Sequence, residues 1–540
     1  MSIRRALALV AIATVGCASL SSTDPVVSPK REVPRPADKP QIVIAVTIDQ
    51  LGSWVLDRHL SRLDADGAIR TAIAQGTYHH RVAYPYASTY TAPGHAAIHT
   101  GAAPYQSEIL SNERFDPERG EVAWVDDAAY PLLGDEKHSA SPRVLAVPTV
   151  GDALKTATAG RALVLSVSLK DRAAVLSGGK HADLALFYDS SIPGFTTSKY
   201  YAKERPPCVT QSERAQPLDT LLAPWTAPKN VSGLDAQEGE GSWKGWTASF
   251  PHDPRESSAP YSVIKATPAM TDWMVELAST CADDMGLGKD DVPDLLALSI
   301  SGTDYAGHVF GPESWEYVDN LVRADRAVGR LIRHFQRRAR VSVLITSDHG
   351  VTPLPETSLA EGRPGGRLMP KELVASLNAA VSDRLGAGEW VTAFVAPFVT
   401  LAPAAEKRRS EVVEAVVEAA RALPGVYGAF DVLDAAPLRQ SRDPIERAVG
   451  LSIDARPPGD VYLVPSPGFV VDPDLAVGQG TSHGGPWATD REVPVLFFGA
   501  GVEKSVSHET QDALSTAATI AALLAVPAPS GVALPGVSAP

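Results

Sequence analysis

Three carboxylates and three imidazoles stand out because each falls at the end of an apolar run or on a glycine-rich loop. Asp49 closes Gln41-Ile42-Val43-Ile44-Ala45-Val46-Thr47-Ile48, and Asp348-His349 closes Val341-Ser342-Val343-Leu344-Ile345-Thr346-Ser347. Asp304 and His308 follow Leu295-Leu296-Ala297-Leu298-Ser299-Ile300-Ser301, four residues apart, so one helical turn can present both to the same point. His483 sits in Gly480-Thr481-Ser482-His483-Gly484-Gly485, whose backbone can approach a ligand closely. A lone Asp or His is more often structural, and Asp49 by itself reads as a cap for the next element. Repetition at strand ends is hard to explain by packing. Mixed Asp/His sets without Cys suit zinc-like divalent ions, and these residues suffice for two metal sites with room for a substrate.

Thr91 supplies a nucleophile candidate. It stands in Ser88-Thr89-Tyr90-Thr91-Ala92-Pro93-Gly94-His95, just before a helix-forming run. That places it at or near a helix N-terminus, where free N–H groups and the positive dipole end favour an anion. A plain helix cap is the competing reading. The run Arg161 to Leu169 ends in Lys170-Asp171-Arg172, whose two cations form either a solvated turn or the wall of an anion site.

The elements that must position these groups follow from the same runs. Continuous β-rich apolar segments ending in Asp49, Lys170, Asp304 and Asp348 read as buried strands of an α/β sheet, whose ligand crevice lies at the strands' C-terminal ends. Ala68, Ile69, Ala72 and Ile73 before Gly76 predict a short helix. Thr267-Pro268 starts another, with Met270, Trp273, Met274 and Leu277 on one face. The stripe Val318, Leu321, Val322, Val328, Leu331, Ile332 and Phe335 is core. Residues from about 180 to 265 are the least regular part and read as an inserted cap, with Ala185-Leu186-Phe187-Tyr188 looking like a strand within it. A segment from about 390 to 465 reads as a small α+β subdomain, and Ala513 to Leu524 as a closing helix.

At 540 residues with 44% hydrophobic content, the chain can bury a large core in one domain with insertions or in two domains. A net charge of -14 argues against a nucleic-acid backbone as partner but leaves a small anionic substrate open, because a site can be locally positive. The N-terminus reads Met1-Ser2-Ile3-Arg4-Arg5, an apolar run Ala6 to Val15, then Gly16-Cys17-Ala18-Ser19. This predicts an export signal over residues 1–20, with either a lipid anchor through Cys17 or plain cleavage near Ala18. A Ser/Pro-rich tether over 21–39 and a periplasmic or envelope-anchored location follow. Without the signal, Cys208 and Cys281 remain, and whether they pair is left open.

Taken together, Thr91-Ala92-Pro93-Gly94-His95, Ser168-Leu169-Lys170-Asp171-Arg172, Gly302-Thr303-Asp304-Tyr305-Ala306-Gly307-His308, Ser347-Asp348-His349-Gly350 and Thr481-Ser482-His483-Gly484-Gly485 resemble, in order, the motifs of bacterial phosphate-irrepressible, PafA-type alkaline phosphatases. The resemblance implies a three-layer α/β/α sandwich around a mostly parallel sheet, spanning residues 40–530. It implies two zinc ions, one held by Asp49, Asp348, His349 and the Thr91 oxygen, the other by Asp304, His308 and His483. Asn112, Lys170 and Arg172 would hold the phosphoryl oxygens, and Thr91 would carry the phosphoryl group during hydrolysis of small phosphate monoesters by a monomer. A phosphodiesterase or nucleotide pyrophosphatase of the same superfamily is the nearest rival. A non-catalytic zinc- or phosphate-binding lipoprotein is a more distant one.

Overall fold

The computed structural model describes residues 39–229, 235–471 and 476–537. The export signal, the Cys17 anchor and nearly all of the 21–39 tether lie outside these described residues.

The strand Ile42–Ile48 is buried along its whole length. Ile42, Ile44, Val46 and Ile48 face one apolar cluster while Val43 and Ala45 face another, which is why the run is continuously apolar. One cluster takes in helices Pro268–Met285 and Trp315–Gln336, and the other takes in helices Thr91–Thr100, Val150–Ala157 and Ser515–Leu524. The sheet is thus the middle of three layers, as expected.

Ten strands make the sheet. Its centre is parallel, in the order Val341–Thr346, Ile42–Ile48, Asp294–Ile300, Val164–Ser168, Leu184–Asp189. Glu492–Gly499 pairs antiparallel with Val341–Thr346 and carries Thr77–Ala83 on its other side, while Gly194–Thr196 closes the opposite edge.

Two expected boundaries move. The cap does not begin near 180, because Leu184–Asp189 pairs in parallel with Val164–Ser168 and Gly194–Thr196 extends the sheet. The apolar Leu184 to Tyr188 is buried there, so the irregular covering segment starts only after Thr196. The α+β subdomain is also larger than 390–465. Gly366–Leu368 pairs with Phe469–Val471, and helix Pro370–Leu385 packs Leu373, Leu377 and Val381 into the same core as the four-stranded sheet of Val391–Val395, Phe398–Leu401, Val461–Pro465 and Val426–Asp431. Leu373, Leu377 and Val381 recur at the spacing of one helix face, but periodicity does not say which core that face joins.

The covering segment is fastened to the core. Cys208 and Cys281 form a disulfide between helices Pro207–Ala215 and Pro268–Met285, which settles the pairing. Trp225, Trp243 and Trp246 bury against Ala306, Val309 and Phe310 of helix Gly302–Phe310, the element that carries Asp304 and His308.

Candidate active site

The parallel register brings the catalytic candidates to one edge. Ile48 pairs with Ile300, Thr47 with Thr346, and Ser299 with Ser168. The chain therefore leaves each strand at the same level, delivering Asp49, Lys170, Asp348 and the helix Gly302–Phe310 side by side. This is the crevice that strand polarity predicts.

Thr91 is the first residue of helix Thr91–Thr100, whose ten residues are all buried. Tyr90 occupies the cap position, and no side chain caps the helix, so the Thr91 hydroxyl is not spent on capping. The Ala92 N–H donates instead to Asn112 Oδ1 at 2.8 Å. Gly94 lets the helix sit directly on the strand end, since a Cβ there would lie 2.3 Å from the Asp348 carbonyl oxygen. Asp49 caps nothing either. The following helix Ser53–His59 has Gly52 at its cap, and the Asp49 carboxylate is fully buried among charged groups.

All three imidazoles are oriented alike. Nδ1–H donates to the Thr481 carbonyl at 2.9 Å in His308, to the Thr89 carbonyl at 2.7 Å in His483, and to the Gly350 carbonyl at 2.9 Å in His349. Such bonds fix the tautomer and leave each Nε2 with a lone pair for a ligand. His308 Nε2 lies 3.2 Å and His483 Nε2 3.5 Å from Asp304 Oδ1, and His349 Nε2 lies 3.4 Å from both Asp49 Oδ1 and Asp348 Oδ2.

These atoms fall into two groups that each fit a metal ion, Asp304 with His308 and His483, and Asp49 with Asp304 and His349, every set within 4.8 Å. Asp304 stands between the two groups, and Asp348 joins the second through its contact with His349. Asp49 Oδ1, Asp348 Oδ2 and His349 Nε2 are buried with no hydrogen-bond partner. Such orphaned atoms are costly unless a cation satisfies them, so the group of Asp49, Asp348 and His349 fits a metal ion.

Charge confirms the crowding. Burial, aided by Asp304 and Asp348, pushes the Asp49 carboxyl well above its usual range. Burial would raise Asp304 too, but His308 and Lys170 outweigh it and hold that carboxyl well below the ordinary value. Burial lowers His349 to about 3, against the pull of Asp348, so its imidazole is neutral.

Lys170, Arg172 and Asn112 form the opposite wall. Lys170 Nζ donates to Asp49 Oδ2 at 2.7 Å, Asp304 Oδ2 at 2.6 Å and Thr91 Oγ1 at 3.1 Å. Burial works against this ammonium, but Asp304 and Asp49 prevail and keep it charged. Arg172 is half-buried, with Nη1 3.9 Å from Asp171 and Nε without a hydrogen-bond partner. These cations, Asn112, Asp304, His308 and His483 line a cavity of ≈ 340 Å³. Asp49 and Thr91 meet this wall through Lys170, and Asp49 in turn adjoins His349, which contacts Asp348.

Several supporting residues were not among the site residues expected from the sequence. Gln50 Nε2 donates to Asp304 Oδ1 at 3.0 Å, and the Thr303 hydroxyl donates to the Asp49 carbonyl at 2.6 Å. The Leu51 N–H donates to Ser347 Oγ at 2.9 Å, and His95 Nδ1 lies 3.2 Å from Asp348 Oδ2. Thr303, Ser347 and His95 stand inside the motifs that carry the resemblance, whereas Gln50 offered only its place beside Asp49.

Comparison with known proteins agrees with this geometry. A model of the type I phosphodiesterase / nucleotide pyrophosphatase family matches residues 43–484. The chain is 29% identical over 515 residues to alkaline phosphatase PhoV of Synechococcus elongatus, covering 92% of each. To alkaline phosphatase PafA of Elizabethkingia meningoseptica it is 27% identical over 515 residues, covering 91% of this chain and 93% of the relative. The crystal structure of wild-type alkaline phosphatase PafA superposes with a TM-score of 0.85 at 25% identity, over 92% of this chain and 99% of that one. The chain belongs to the type I phosphodiesterase / nucleotide pyrophosphatase family, and relatives that match it over nine-tenths of its length include alkaline phosphatases of the PafA type.

Proposed function

We propose that the chain is a zinc-dependent alkaline phosphatase that hydrolyses phosphate monoesters through a phosphothreonine intermediate on Thr91 and releases inorganic phosphate. The observation that carries this reading is the position of Thr91 Oγ1. It sits at a helix N-terminus, 3.1 Å from Lys170 Nζ, beside two Asp/His groups, in one of which Asp49 Oδ1 and His349 Nε2 are unsatisfied. The alkaline phosphatase names of PhoV, PafA and the Sphingomonas relative PhoK support it.

Asp49, Asp348 and His349 would hold one zinc ion beside Thr91, and Asp304, His308 and His483 the other. Bound there, the two ions supply a lowered hydroxyl pKa for the nucleophile and charge stabilisation for the leaving oxygen. The rest belongs to the chain. Thr91 Oγ1 attacks phosphorus in line, its P–O bond forming as the bond to the alcohol oxygen breaks, and water then cleaves the phosphothreonine to return the hydroxyl. Arg172 offers a planar fork to two equatorial oxygens, Lys170 a point charge, and Asn112 its amide group, because its carbonyl is already committed to Ala92.

A diester offers fewer charged oxygens, so two cations in the cavity are better matched to a monoester. Export supports the reading further. The N-terminal sequence has signal character, and a disulfide suits an oxidising compartment. Anchoring through Cys17 and a monomeric state complete the proposal.

The test is Thr91→Ala. Turnover of an aryl phosphate should vanish while zinc content, measured by elemental analysis, is kept. Near wild-type turnover in that variant would require another nucleophile.

A further inference from the structure

Beside the catalytic cavity lies a second one of ≈ 440 Å³, which shares Lys170, Arg172, Glu121 and Tyr305 with it. Its added cations are Arg119, Lys137 and Lys265. The Lys265 ammonium rests 4.6 Å from the centroid of the Tyr305 ring, and the Lys170 ammonium 5.5 Å from the same centroid. Lys265 is thus only a ring's span from the phosphoryl clamp. Tyr305 is itself stacked on Trp243 at 6.0 Å, nearly parallel, so the platform is fixed.

The backbone under Lys265 is fixed as well. It lies in the turn Ile264–Ala266, whose Ile264 and Ala266 side chains are fully buried. Asn320 Nδ2 donates to the Ala266 carbonyl at 2.8 Å. The carboxylates of the same wall are Glu121, Asp126, Asp171 and Asp189. Asp126 pairs with Arg119 at 2.7 Å, Asp171 accepts the Arg172 N–H at 2.6 Å, and Asp189 accepts from Ser191 at 2.8 Å. Lys265 forms no ion pair among the described residues, and its ammonium faces the Tyr305 ring. A preorganised ammonium over an aromatic face, opening from a phosphate clamp, is chemistry for an anion.

We propose that this second cavity is an anion subsite for the far end of the substrate, with Lys265 as the selecting residue. The preferred substrates are phosphate monoesters whose alcohol part carries a second anionic group, a second phosphate above all. The inference rests on the monoesterase reading, since it concerns the group that leaves with the alcohol.

The experiment compares α,ω-alkanediol bisphosphates of two to six carbons with the matching alkyl monophosphates, in the zinc-loaded full-length protein and in Lys265→Met and Lys265→Arg. At some chain length the wild type should favour the bisphosphate in kcat/KM. Lys265→Met should lose that preference by on the order of 10-fold, as expected for a charge-assisted hydrogen bond, and Lys265→Arg should retain it. Hydrolysis of the monophosphate reports that each variant is folded and loaded. An equal bisphosphate-to-monophosphate ratio in wild type and Lys265→Met at every length would overturn the subsite alone. Failure of all proteins on both substrates would overturn the monoesterase reading and the subsite with it.

Discussion

Asn112 and Ala92 are joined by a 2.8 Å hydrogen bond from the Ala92 backbone N–H to the Asn112 side-chain carbonyl. This bond ties the phosphoryl clamp to the first turn of the helix that begins with Thr91. It also decides which end of the amide remains for substrate, because a committed carbonyl leaves the NH₂ group to donate.

Replacing Asn112 tests that orientation. Asn112→Asp keeps an acceptor for Ala92 but turns a carboxylate oxygen toward a phosphoryl dianion, whereas Asn112→Ala only removes a donor. Asn112→Asp should therefore lose more kcat/KM than Asn112→Ala, the latter by on the order of 10²-fold. Steady-state kinetics at saturating zinc decide the order, and a reversed order would mean that the amide does not face substrate.

Lys170 and Arg172 should discriminate between ester classes. Monoesters carry more charge on the non-bridging oxygens than diesters, so Lys170→Ala and Arg172→Ala should each cost more on an aryl phosphate than on the corresponding aryl methyl diester. Equal losses on the two substrates would remove the reason for preferring the monoesterase over the diesterase.

Gly94→Ala should be destabilising despite Ala being the better helix former. The new Cβ would sit 2.3 Å from the Asp348 carbonyl oxygen and 2.7 Å from its Cβ, pushing the Thr91 helix off the strand end. Overpacking of this kind typically costs about 1–3 kcal/mol, and activity should fall because Thr91 and Asp348 separate. Chemical denaturation together with zinc retention would show both effects, and wild-type stability would mean that the two backbones are not in contact.

Stability should fall as pH rises toward 8. Burial pushes Glu316 from an ordinary 4.5 up to about 8, and burial with help from Glu316 does the same to Glu240. The folded protein therefore holds protons that the unfolded chain releases, so the contribution is whole below the unfolded value and is lost as pH rises through about 8. His252, bonded to Glu316 at 2.8 Å and lowered to about 4 mainly by burial, titrates oppositely but only below its unfolded value of 6.5. Melting temperatures between pH 6.5 and 8 should decline in the wild type and flatten in Glu240→Gln/Glu316→Gln. Parallel slopes would show that these carboxyls are already ionised.

The sequence by itself determined the strands, because runs such as Ile42 to Ile48 are apolar on both faces and can only be central. It also determined which chemistry was on offer, since Asp, His, Thr and Lys at strand ends limit the choice. Periodicity carries no information about what lies beside a strand in space. Assignment of Leu184–Asp189 to the sheet, and of helix Pro370–Leu385 to the subdomain, depended on which apolar faces found partners. The Cys208–Cys281 bond was equally a matter of proximity across 73 residues. So were the supports of the site. Gln50 reaches Asp304 across 254 positions and His483 reaches Thr89 across 394, distances at which only folding decides who meets. Position at strand ends named the candidates, while the parallel register and these long-range bonds brought them together.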